Sequence, residues 1–139
     1  LRPMNFPFEL YVLCNNRKFK ENNFISVPKL NTVSLSEFLK DKDIYISASE
    51  YEPFSIAAAE CISEGLVSIV TEETGLSEYI TNKSNGFIIK FNDTKDLIQI
   101  LNFINSNKDS LHLISEAGKK IYVEISWSAV LDKYKKLYI

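Results

Sequence analysis

Residues 43–75 read DIYISASEYEPFSIAAAECISEGLVSIVTEETG, and this stretch decides the fold. Ile44, Ile46 and Ala48 alternate with Tyr45 and Ser47, the period of a strand over Asp43 to Ser49. Ser49, Glu50 and Tyr51 make a polar turn. After Glu52, Pro53 and Phe54 the spacing becomes helical, with Ile56, Ala57, Ala58, Ala59, Cys61 and Ile62 on successive turns and Gly65 as the stop. Val67 to Val70 is a second apolar strand. Strand, helix and strand in so short a span predict one parallel crossover unit.

Two carboxylates punctuate that unit, Glu52 at the helix entrance and Glu60 eight residues on. That separation is a rotation of about 80° and a rise of about 12 Å, so the pair is not an i,i+4 couple. Glu52 falls at the carboxyl end of a parallel strand, where such sheets open their ligand crevice. The helix start offers free backbone N–H groups that favour a phosphate or another anion. Glu60 stands among small residues and either faces water or accepts hydroxyl donors, because a buried unpaired charge is too costly.

The rest of the chain extends the same pattern. Glu9 to Asn15 reads as a buried strand, Asn15 to Asn23 as a basic loop or short helix, and Phe24 to Val27 as a strand ending at Pro28. A short helix is expected over Thr32 to Asp41, with Ser34 as cap and Glu37 three residues on. Beyond Val70 come a polar turn over Thr71 to Gly75, a short helix over Leu76 to Ile80 with Glu78 near its start, and the turn NKSNG at 82–86. Phe87 to Lys90 is the last strand, followed by helices over Lys95 to Asn105 and Asp109 to about Glu124. Ser126 caps a final aromatic helix through Tyr138, which either docks on the sheet or meets a missing domain or partner. Alternating strands and helices predict one three-layer α/β domain with a mainly parallel sheet.

Composition narrows the function classes. With 139 residues, 45% of them apolar, the chain can bury one core. A net charge of -2 gives no reason to expect a nucleic-acid partner. No apolar run is long enough to span a membrane. Cys14 and Cys61 lie in apolar segments and read as buried thiols in a reducing, cytoplasmic compartment. The single histidine, His112, lies in a helix between Leu111 and Leu113, and no metal site is expected. Neither a phosphate loop nor a dinucleotide glycine fingerprint is present, and Ser55 and Ser63 lack the surroundings of a serine nucleophile. The chain begins with Leu1 and is expected to be part of a longer polypeptide.

SASEYEPFSIAAAECISEGLVSIVTEETGLSEYI resembles the nucleotide-sugar-binding core of retaining glycosyltransferases of family 4, in the carboxy-terminal half of the two-domain GT-B fold. Glu52 and Glu60 match the glutamate, seven residues, glutamate motif of that family. Pro53, Phe54 and Gly65 fall at matching places, Gly75 and Glu78 match the next loop, and Asn85 with Gly86 matches the turn before the last strand. Ser126, Trp127, Tyr134 and Tyr138 look like the family's closing helix, which commonly crosses back toward the amino-terminal domain.

The resemblance implies a Rossmann-like donor-binding domain over 1–139, with 126–139 a terminal helix that packs toward a missing amino-terminal domain. It assigns Glu60 to the nucleotide ribose and Glu52 to the reacting sugar, as the catalytic position. Ser55 and Ile56 are implied as backbone donors, and Phe54, Thr74, Gly75 and Glu78 as further donor-binding residues. A nucleotide-diphosphate sugar is the implied substrate with no further cofactor. The implied acceptor is a glycan or a lipid, met through the missing domain, and a lipid acceptor would bring the full-length protein into peripheral membrane association. Three positions depart from the family: Ser55 stands where glycine is usual and is expected to push a side chain into the phosphate approach, Val67 replaces a common proline, and Thr74 replaces the first of two glycines. The family's diphosphate-clamping Arg and Lys belong before the region of Glu9, and the fragment alone is expected to be inactive. The competing classes are a noncatalytic α/β interaction module with a decayed site, a nucleotide-sugar isomerase of the same fold, and a glycan phosphorylase, for which no cofactor lysine is recognisable.

Overall fold

The computed structural model describes residues 4–14 and 17–138. Asn15, to which the first expected strand extends, lies outside the described residues. The chain divides after Phe38 into two compact units, each taken here by itself.

In the first unit β1 (Leu10–Leu13) and β2 (Phe24–Val27) pair in parallel, from Leu10 opposite Phe24 to Leu13 opposite Val27. The Ser26 hydroxyl donates to the Cys14 carbonyl at 3.1 Å and closes the carboxyl end of the pair. The expected buried strand is instead half-buried, with Leu13 49% exposed. Its only ladder partner among the described residues is β2, and one ladder partner leaves an edge strand partly open. Residues 17–23 hold bends and turns but no helix. Helix α1 (Thr32–Leu39) sets Phe38 edge-on to Tyr11, ring centres 5.4 Å apart. Its cap is Asn31 rather than Ser34: the Asn31 Oδ1 accepts the Ser34 N–H at 2.9 Å and its carbonyl accepts from Leu35. Asn caps as well as Ser and stands immediately before the first helical residue.

The second unit holds β3 (Ile44–Ser47), α2 (Ile56–Ser63), β4 (Val67–Thr71), a short 3-10 turn (Gly75–Tyr79), β5 (Phe87–Ile89), α3 (Thr94–Ser106), α4 (Lys108–Ile125) and α5 (Trp127–Tyr138). The strands lie in the order β3-β4-β5, all parallel, with Ile46 opposite Ile69 and Ile69 opposite Phe87. The alternation read from the sequence sorts their two faces. Tyr45, Val70 and Ile88 join Ala58, Ile62, Leu76, Ile80 and Ile121 in one core beneath α2 and α4. On the other face Phe87 is fully buried and meets Phe103 of α3 edge-on at 6.1 Å. The sheet of this unit is therefore covered on both faces, as all-parallel sheets are.

The α/β class and the parallel pairing follow the sequence expectation, and the five strands among the described residues make two separate ladders. Two close approaches shape the second unit. Gly65 ends α2 with φ +93, a left-handed conformation that glycine adopts freely, and its carbonyl accepts the Ser115 hydroxyl of α4 at 2.6 Å. Gly118 lets α4 lie against the 82–86 turn, since a Cβ there would stand 3.0 Å from the Asn85 carbonyl oxygen. Helix α5 follows α4 across Ser126 and buries none of its residues. Trp127, Leu131, Tyr134 and Tyr138 recur at i, i+4, i+7 and i+11 on one exposed face, with Trp127 89% exposed.

Candidate functional site

Parallel pairing brings the carboxyl ends of β3, β4 and β5 to one edge of the sheet, and the candidate site is the pair of loops that leave β3 and β4 there. These loops are joined backbone to backbone. The Glu52 N–H donates to the Glu73 carbonyl at 3.2 Å, the Gly75 N–H to the Glu52 carbonyl at 2.9 Å, and the Leu76 N–H to the Phe54 carbonyl at 3.1 Å. Glu52 and Thr74 form an isolated parallel bridge. Gly75 is obligatory in this joint, because a Cβ would come 2.0 Å from the Pro53 carbonyl oxygen.

The entrance to α2 is built by Ser55. It has φ 75 and ψ 77, the left-handed region that glycine prefers, and its hydroxyl accepts the Ala58 N–H at 3.3 Å as the helix N-cap. Its own N–H is donated to the Glu52 Oε1 at 3.2 Å. Ser55 is only 4% exposed. The expectation that its side chain would intrude on the phosphate approach is therefore corrected: the hydroxyl turns back into the helix it caps. Of the two implied backbone donors, Ser55 already serves Glu52, whereas the Ile56 amide has no hydrogen-bond acceptor among the described residues.

Other predicted residues divide between rim and interior. Glu60 is exposed on α2, Glu78 is exposed in the 3-10 turn, and Glu52 is half-buried. Phe54 is half-buried, packs against the core, and meets the Tyr79 ring edge-on at 6.5 Å. Thr74 is 1% exposed, so its side chain faces inward, where its hydroxyl lies 3.1 Å from that of Thr71. The Thr71 hydroxyl in turn donates to the Ser49 carbonyl at 2.7 Å. Thr71 was not among the sequence candidates, and its signal, a polar residue ending an otherwise apolar β4, was visible in VSIVT.

Charge around the loops is one-sided. Residues 43–82 carry Asp43, Glu50, Glu52, Glu60, Glu64, Glu72, Glu73 and Glu78 and no lysine or arginine. Spacing singles out Glu52 and Glu60 as a pair, whereas the acidic run is legible only over the longer span. Beneath it Cys61 is buried, and burial first, then the charges of Glu60 and Glu64, push its thiol up to about 12. Burial also raises the Tyr45 hydroxyl, against smaller opposing contributions from the hydroxyls of Ser55 and Ser47. Among the described residues no group of three His, Cys, Asp or Glu side chains is placed to hold a metal ion. No helix among them is long and apolar enough to cross a membrane.

A half-buried carboxylate, an exposed carboxylate on the first turns of a helix, and a free amide at that helix's start can receive hydroxyls and an anion together. Comparison with known proteins agrees in kind. Residues 12–121 match the family model described as Glycosyl transferases group 1. Over 105 residues the chain is 29% identical to the UDP-Gal:alpha-D-GlcNAc-diphosphoundecaprenol alpha-1,3-galactosyltransferase of Escherichia coli, covering 76% of this chain and 27% of that protein. Sucrose-phosphate synthase from Thermosynechococcus elongatus shares the fold, with a TM-score of 0.76 at 19% identity over 84% of this chain and 30% of that one. So does Anabaena HepE, solved in complex with UDP, with a TM-score of 0.73 at 16% identity over 84% of this chain and 32% of that one. The chain spans 27% to 32% of the length of the curated relatives it matches.

Proposed function

The chain belongs to the Glycosyl transferases group 1 family, and on that premise we propose that it forms most of the donor-binding half of a GT-B glycosyltransferase. The substrate is a nucleotide-diphosphate sugar, from which a hexosyl group is transferred with retention to a glycan or lipid acceptor. The observation that carries this reading is the joint of the two carboxyl-end loops, which fastens Glu52 at the start of α2, the helix that bears the exposed Glu60. Glu60, exposed on α2, accepts the ribose hydroxyls, and Glu52 stands nearest the reacting sugar. The free Ile56 amide and the positive end of the α2 dipole meet the diphosphate, whose charge grows as the sugar leaves. Solved structures of Anabaena HepE with UDP and with UDP-glucose support the choice of ligand class.

The inward turn of both Ser55 and Thr74 favours a working site over a decayed one, because neither substitution fills the crevice. In the longer protein, the exposed apolar face of α5 packs on the amino-terminal half, which brings the acceptor and the basic residues that clamp the diphosphate. The 139 residues alone bind donor without turning it over. Titration of the chain with UDP, UDP-glucose and other nucleotides, followed by amide spectra, tests the site. Shifts at Glu52, Ile56 and Glu60 are expected, and unchanged spectra at millimolar ligand would sink the proposal. Glu60→Ala should weaken nucleotide binding by about tenfold, the loss of a charged hydrogen-bond acceptor; equal affinity would remove Glu60 from the ribose.

A further inference from the structure

Two buried hydroxyls lie behind the loop that carries Glu52, and their hydrogen-bond directions are fixed by elimination. The Thr71 Oγ1 is 2.7 Å from the Ser49 carbonyl oxygen, which can only accept, so the single Thr71 proton goes there. At the 3.1 Å contact between the two threonines, Thr74 must then be the donor and Thr71 the acceptor. Thr71 and Thr74 are each 1% exposed, so water does not compete for either bond. The relay runs from the Thr74 hydroxyl through Thr71 to the Ser49 carbonyl, from one loop across the end of β4 to the other.

Backbone bonds complete a circuit. Ser49 is three residues before Glu52, and Glu52 is bridged to Thr74 by its N–H on the Glu73 carbonyl and its own carbonyl on the Gly75 N–H. Thr74 is tied back to Thr71 a second time, through its N–H on the Thr71 carbonyl at 3.0 Å. Every bond of the circuit is internal, and the Glu52 carboxylate projects from its outer side, half-buried, onto the Ser55 N–H. We infer that Thr71 is a positioning residue for Glu52: its hydroxyl latches the loop after β3 to the loop after β4 and so fixes where the Glu52 carboxylate stands at the start of α2. Thr74 is the second half of the latch, which gives a physical reason for a hydroxyl residue where a glycine would leave Thr71 without its donor. The part of this inference that concerns ligand rests on the donor-site proposal above.

The test uses the 139-residue chain and the variants Thr71→Val, which keeps the shape and deletes the hydroxyl, and Thr71→Ser, which restores it. Amide hydrogen exchange is read at Glu52, Gly75 and Leu76, the three donors of the loop joint. In Thr71→Val these amides should exchange about tenfold faster than in the parent, while the β3–β4 ladder amides keep their protection, and Thr71→Ser should return them to the parent rate. Unchanged exchange at the three positions, a uniform rise across the sheet, or failure of Thr71→Ser to restore them would each overturn the latch. UDP and UDP-glucose are then titrated into the same proteins. Thr71→Val should lose affinity for UDP-glucose but not for UDP, because the nucleotide is held by Glu60 and the sugar by Glu52; equal losses for both would also count against the positioning role. If the parent chain binds neither probe, the donor-site proposal fails and the exchange measurement still decides the latch.

Discussion

The Ser55 N–H rests on the Glu52 Oε1 at 3.2 Å while the Ser55 hydroxyl caps Ala58 at 3.3 Å, so the loop and the helix it enters are fastened through one residue. The carboxylate thereby satisfies the Ser55 amide and leaves the Ile56 amide open at the start of α2. Ser55 accomplishes this only by adopting φ 75, which costs an L-residue on the order of 1 kcal/mol. Two substitutions separate strain from cap. Ser55→Ala keeps the strain and loses the cap, and should cost about 1 kcal/mol in chemical denaturation. Ser55→Gly loses the cap but relieves the strain, and should stay within about 0.5 kcal/mol of the parent. Equal stability of the two variants would mean that the left-handed conformation carries no strain, and parent-like stability of Ser55→Ala would mean that the hydroxyl contributes nothing as a cap.

Gly75→Ala tests the loop joint directly. The added methyl would stand 2.0 Å from the Pro53 carbonyl oxygen and 3.2 Å from the Phe54 Cα, both backbone. Neither can rotate aside, so the bond from the Gly75 N–H to the Glu52 carbonyl must break. A loss of about 3 kcal/mol is expected, with selective deprotection of the Glu52 amide. A stable Gly75→Ala protein with its Glu52 amide still protected would show that the loops are held apart from this joint.

Ionic strength should act on this site in the opposite sense to a lysine-lined phosphate pocket. Glu50, Glu52, Glu72, Glu73 and Glu78, in or just after the loops that leave β3 and β4, stand near a ligand that is itself negative, with no lysine or arginine within residues 43–82 to offset them. Salt screens repulsion as it screens attraction, and the screening length falls from about 30 Å to about 8 Å between about 0.01 M and 0.15 M. UDP affinity for the chain should therefore rise by about two- to threefold over that range. A fall with added salt would place an unrecognised cation at the diphosphate.

Alkaline unfolding should report Cys61. Its thiol is raised from the ordinary 9.0 to about 12 in the folded chain by burial and the neighbouring Glu60 and Glu64. The neutral thiol is therefore the folded form. Below about pH 9 the folded and unfolded states carry the same proton and the full stability is present; between about 9 and 12 the unfolded thiol ionises first, and stability falls by roughly 1.4 kcal/mol per pH unit. Cys61→Ala should flatten that slope. A thiol reagent at pH 8 should label Cys14, which is half-buried, well before Cys61.

What could be read from the sequence was what its own spacing encodes. The alternation over Ile44 to Ser47, the alanine run of α2 and the stop at Gly65 each state their structure locally, and each stands where the spacing placed it. Glu52 and Glu60 stood out from their places at the strand end and on the helix, their roles came from resemblance, and the structure supplies the joint that holds Glu52. Asn31 in place of Ser34 is a choice between two good caps three residues apart that propensity alone does not separate. The direction of the Ser55 and Thr74 hydroxyls depends on partners, Ala58 on the following turn and Thr71 at the end of a strand, that appear only once the chain has folded. The aromatic spacing of α5 likewise announced a helix without announcing its cover: none of its described residues is buried, and Trp127 stands outward.

The order β3-β4-β5 repeats the order of synthesis, so each strand, as it is made, finds its neighbour already in place. The cover does not follow that order. Ile121, from late in α4, is the last buried member of the core that holds Val70 and Ile62, and it is made 32 residues after Ile89 completes the sheet. During that interval a nascent chain carries an assembled ladder whose face is covered by α2 but not yet by α4, a state in which chains stick to one another. A chaperone that binds extended apolar segments would act on this protein in that interval.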